Sequence, residues 1–123
     1  MKAHKIAHYI NIGRLEAYIE LLKTGIREIC IPNYGAPKKA ELGYIDREAR
    51  KHGFCTMVIS YDWIGVNGNR LKSYQRIIYR KGKEADARLL RTKMQKTSKE
   101  KKDHEIIGRL LGYSKEAIAS FVS

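Results

Sequence analysis

The chain has 123 residues, 43% of them hydrophobic, which is apolar surface for one core in one domain. Its 25 lysines and arginines against 13 acids give a formal charge of +12, so the expected partners are acidic: nucleic acid or nucleotide, with an anionic membrane surface as the other possibility that charge alone allows. No run approaches the roughly 20 consecutive apolar residues that span a bilayer, and the N-terminal MKAHKIAHYINIG lacks both a long apolar stretch and a small-residue cleavage site, so the expectation is a cytoplasmic protein with no membrane partner.

In chain order, short apolar segments alternate with amphipathic ones, the pattern of strands joined by helical crossovers. The first strand is expected over residues 5–10. GRLEAYIELLKTG follows with Leu15, Tyr18, Ile19 and Leu22 at helical spacing and Gly25 as its stop. IREICI reads as a second strand ended by Pro32, and a second helix starts near Pro37, with Leu42, Ile45 and Ala49 as its buried stripe. FCTMVISY is apolar enough for a central strand covered on both faces. The turn-rich DWIGVNGNRLKS leads to YQRIIYR, an expected antiparallel edge strand, and helical segments occupy residues 83–123.

The resulting expectation is a small three-layer α/β domain, β-α-β-α-β-β-α-α, with three parallel strands and one antiparallel edge strand. Residues 1–82 form the sheet with its crossover helices, and residues 83–123 form C-terminal helices carrying the basic segment 91–102. Cys30 and Cys55 sit in apolar runs as free thiols, and with no CxxC pair there is no zinc signature.

In such a sheet the carboxyl ends of parallel strands share one rim, where ligands of open α/β folds bind. Strand one would bring Asn11, Gly13 and Arg14 to it; strand two Asn33, Tyr34, Gly35, Lys38 and Lys39; strand three Tyr61, Asp62 and Trp63. Glycines let backbone N–H groups approach a phosphate, the cations neutralise it, the aromatic rings offer a stacking face, and Asp62 suits a ribose hydroxyl or base amine. Lys38 and Lys39 stand where a helix N-terminus is already positive, a placement that an anion would relieve. Asn and Gly are equally the ordinary residues of strand-to-helix turns, and Glu41 or water also offsets the lysines.

Two further basic surfaces stand out. Residues 91–102, RTKMQKTSKEKK, hold six basic residues and one acid, a net +5 that includes Arg91, Lys93, Lys96 and Lys99; they suit a phosphate-tracking face or a solvated linker. Lys72, Tyr74, Arg76 and Arg80 fall on one side of the fourth strand, as a sugar-phosphate contact or a charged edge would.

The four histidines and the DHE at residues 103–105 lack the spacing of metal ligands, so no metal, cofactor or catalytic set is assigned. The leading expectation is a non-enzymatic binder of phosphate-bearing ligands, with RNA or DNA favoured. One alternative is sequestration of a small nucleotide, a cyclic or ADP-ribose-like signal, in a pocket or between subunits of a homo-oligomer formed through the C-terminal helices. Another is a small nucleotide-processing enzyme using Asp62.

Overall fold

A computed structural model describes residues 3–32 and 39–122, and within them the side chains of 13–32 and 40–121. Among these residues the elements are α1 (Ala3–Thr24), β1 (Ile29–Cys30), α2 (Lys39–Lys51), β2 (Cys55–Ile64), β3 (Arg70–Tyr79), α3 (Glu84–Met94), α4 (Lys101–Leu110) and α5 (Lys115–Val122). The strands form one antiparallel sheet in the order β1-β3-β2.

This overturns the expected parallel sheet at its first step, because residues 5–10 belong to α1 and not to a strand. Ile6 and Ile10 are spaced by four, which serves a helix as well as alternation serves a strand, and a helix satisfies its backbone hydrogen bonds without a neighbour. β1 and β2 do run in the same direction, joined through α2, but β3 is inserted between them and is antiparallel to both. The unit is a split βαβ, so no parallel pair forms among the described residues.

Centre and edge are also exchanged relative to expectation: β3 is the middle strand and β2 an edge. Ile77, Ile78 and Tyr79 are buried in succession. Successive strand residues face opposite sides, so such a run requires cover on both faces. Ile78 joins Cys30 in a cluster with Leu15, Ile19 and Leu22 of α1 and Ile45 and Ala49 of α2. On the other face Ile77 and Tyr79 pack with Ile29, Ile31, Ile59 and with Ala87 and Leu90 of α3. Cys30 lies inside the first cluster, and burial pushes its thiol up to about 12 against the opposing pull of Arg27.

β2 and β3 pair over their full length, from Cys55↔Tyr79 to Ile64↔Arg70. Their turn closes through the Gly65 N–H on the Asn69 carbonyl at 2.9 Å and the Gly68 N–H on the Gly65 carbonyl at 2.9 Å. Gly68 has φ +77°, a left-handed conformation that glycine adopts without a Cβ clash. β1, by contrast, pairs only at Ile29↔Tyr79 and Cys30↔Ile78. The sheet is three strands wide at its base and a two-stranded arm beyond.

Stability should follow this division. Ile77→Ala, at a position with 0% exposure, is expected to cost about 2–5 kcal/mol in chemical denaturation, whereas Ile64→Ala on the arm should stay within about 0.5 kcal/mol of the parent. Similar destabilisation at both sites would show that the arm is packed.

Candidate nucleic-acid interface

The expected rim depended on strand ends meeting, and the antiparallel topology separates them. Asn11, Gly13 and Arg14 lie along α1, Gly13 and Arg14 exposed on its surface. Residues 33–38, with Asn33, Tyr34, Gly35 and Lys38, lie outside the described residues; Lys39 begins α2. Through the register, Cys30 is level with Ile78 and Thr56, so Asp62 stands six residues farther along β2, about 20 Å at strand rise. The end of β1 and the Tyr61, Asp62, Trp63 group therefore do not share a hollow, and a small-nucleotide site on that rim loses its basis.

The structure groups Tyr61, Asp62 and Trp63 instead with Lys72 and Tyr74 on the β2–β3 arm. Cross-strand pairs share a face: Asp62 opposes Lys72 and Ser60 opposes Tyr74 on one side, while Trp63 opposes Leu71 and Tyr61 opposes Ser73 on the other. Lys72 Nζ lies 4.0 Å from Asp62 Oδ1, a loose pair between exposed groups. Nearer the base, the Tyr61 hydroxyl donates to Gln75 Oε1 at 2.6 Å, and Gln95 Nε2, just past α3, donates to the Ser60 carbonyl at 3.1 Å. Burial raises the Tyr61 phenol pKa above its ordinary value. Exposure grows outward: Ile59 is buried, Trp63 is 47% exposed, Ile64 74% and Val66 fully exposed.

Arg76 shares the face of Lys72 and Tyr74, as its spacing implied, but its Nε lies 3.0 Å from Asp46 Oδ1 of α2, so it fastens that helix to the arm's base. Arg80 follows the strand and is exposed. Arg70, Leu71, Ile64 and Val66 join the exposed arm although periodicity did not single them out as a site. The readable signal was GVNGN, a turn flanked on both sides by long β-favouring runs.

The basic segment 91–102 is ordered by an acid. Asp103 is 3% exposed, with Lys93 Nζ at 3.0 Å from one carboxylate oxygen and Lys96 Nζ at 2.7 Å from the other. The Glu100 N–H also donates to Asp103 at 2.9 Å, completing a reciprocal cap at the start of α4. Lys99 Nζ donates to the Lys96 carbonyl at 2.9 Å. Lys93 and Lys96 thus neutralise a buried charge of the protein itself, and Arg91 is half-buried on α3. His104 sits with its ring 5.3 Å from that of Phe121, and no group of three metal-capable side chains gathers among the described residues.

The Lys96 ammonium, the Glu100 N–H and the Lys93 ammonium hold the Asp103 carboxyl well below its usual 3.8. A carboxyl with a depressed folded value stabilises the fold above the unfolded value and loses that contribution as acid protonates it. Asp103→Asn should therefore melt lower than the parent at neutral pH, with the gap closing as pH falls below 3.8, in thermal melts followed by circular dichroism. A gap independent of pH would show that the ion pairs contribute nothing.

No protein-family model, curated protein or solved structure matches the chain, so its functional reading rests on the geometry above.

Proposed function

We propose that the protein binds nucleic acid without turnover, using the β2–β3 arm as its contact element and duplex DNA as its preferred form. The observation that carries this reading is the arm itself: a two-stranded ribbon beyond the helices, with cations, an indole and apolar groups exposed along it. B-form DNA has a major groove about 12 Å wide that admits a two-stranded ribbon, whereas the A-form RNA groove is too deep and narrow for side chains to read.

The distribution of side chains favours a groove over a flat contact. Tyr61, Trp63 and Leu71 point to one face of the ribbon and Lys72, Tyr74 and Arg70 to the other; Tyr61 is half-buried and holds Gln75, so the two exposed rings, Trp63 and Tyr74, lie on opposite faces and do not build one stacking platform for a single strand. A ribbon between two phosphate walls uses both faces at once. The formal charge of +12 supplies long-range attraction, and the arm supplies shape.

Trp63 is the only tryptophan and lies 47% exposed on the arm, so its fluorescence reports the contact directly. Titration with a mixed-sequence DNA duplex is expected to shift Trp63 emission, with affinity falling steeply as salt rises. Arg70→Ala with Lys72→Ala should lower the slope of log affinity on log salt by about 2, roughly one for each phosphate that the variant no longer neutralises. Binding that leaves Trp63 emission and the slope of the double variant unchanged would move the site off the arm, and tighter binding to single strands would replace the groove reading with stacking.

A further inference from the structure

We infer that the cleft enclosed by α3, α4 and α5 is a binding site for a small amphiphilic anion, an alkyl or aryl chain ending in a carboxylate. The site is separate from the arm and does not depend on the nucleic-acid reading. The cleft has a volume of about 570 Å³, within the roughly 300–1,000 Å³ of small-molecule sites. Met94, Ile107, Ala117, Ile118 and Phe121 supply its apolar walls.

A glycine sets the shape of this cleft. Gly108 is buried in the last turn of α4, and a Cβ there would lie 2.7 Å from Ile118 Cγ1. Its missing side chain lets α5 close onto α4 at that point. One turn away on α5, Phe121 remains 73% exposed, with its ring centroid 5.3 Å from that of His104, so α4 and α5 meet at Gly108 and Ile118 and again at these two rings, which stand at the rim of the cleft. An apolar chain lying in the cleft would remove these apolar walls from water.

The polar lining selects the head group. Lys99, His104 and the neutral phenol of Tyr113 line the cleft, and among the described residues neither an acid nor an amide does, which leaves Lys99 as its cation. Lys99 is braced, because one of its N–H groups donates to the Lys96 carbonyl while Lys96 is itself held by Asp103. An ammonium carries three donors, so two remain to meet a carboxylate, and the His104 ring is a second nitrogen-bearing group in the same lining. Apolar walls with a fixed cation fit an amphiphile of negative charge and disfavour a neutral or cationic one.

The test uses the full chain with anilinonaphthalene sulfonate as an apolar anionic reporter and octanoate and octanol as competitors of equal chain length. One dye site per chain is expected, with octanoate displacing the dye at least about tenfold more effectively than octanol, the size of one charge-assisted hydrogen bond. Lys99→Gln should bring octanoate to the level of octanol, and Ala117→Trp, which fills the cleft, should abolish both. Because Ala117→Trp can also disturb α5, amide chemical-shift mapping of the unaltered protein with octanoate provides the second readout and should centre on Gly108 and Ala117. Equal displacement by octanol and octanoate overturns the anionic class. Dye binding at many sites, or octanoate shifts centred away from α4 and α5, overturns the site.

Discussion

Everything else in the molecule is arranged around the double burial of β3. Ile77, Ile78 and Tyr79 alternate between faces and are all buried, so both sides of the sheet must be covered. α1 and α2 supply one cover and α3 the other. The same three residues fix the edges, since Ile78 and Tyr79 pair with β1 on one side and with the start of β2 on the other. Shifting β3 by one residue would exchange the two clusters and send Arg76 and Tyr79 to the wrong faces. Register is therefore set at the base of the sheet.

The arm follows from a mismatch of lengths. β2 and β3 are ten residues each, while β1 is two. Once the base is covered, the remaining paired residues extend beyond α2 and α3. Arg76 on Asp46 and Gln95 on Ser60 mark where the helices still grip. An isolated hairpin is at best marginally stable in water, so this one takes its order from its anchored base. It is also a potential aggregation edge, with Trp63, Ile64 and Val66 exposed, and Asp62, Arg70 and Lys72 supply the charge that opposes edge-to-edge pairing.

Local signals were legible in the sequence where one period dominated. Leu15, Ile19 and Leu22 in α1 and Leu42, Ile45 and Ala49 in α2 stand at the positions that spacing implied; the hairpin is antiparallel as expected, but of the turn-rich DWIGVNGNRLKS only residues 65–69 form the turn, the flanking residues being strand because β2 and β3 pair to Ile64↔Arg70. The shared face of Lys72, Tyr74 and Arg76 was likewise readable from parity. Strand order was not, because β1 contributes only two residues and its choice of β3 over β2 is decided by burial distant in sequence. Residues 5–10 were ambiguous for a different reason: a short apolar run satisfies both periods, and only its continuity with the following helix decides. The rim site fell with the topology that created it, while Tyr61, Asp62 and Trp63 kept their mutual proximity as successive residues of one strand.

Asp103 shows why net charge overstates what a ligand meets. A count of lysines assigns residues 91–102 to an external partner, yet Lys93 and Lys96 converge on one buried carboxylate farther along the chain. No periodic pattern announces that contact, because the chain turns between α3 and α4 to make it. Buried, the carboxylate requires compensation, and two ammonium groups with a backbone N–H provide it. The same knot orders the polar TSKE stretch, seats the first turn of α4 and holds the Lys96 carbonyl that Lys99 uses. A segment that looks like a solvated linker is in this way a structural joint.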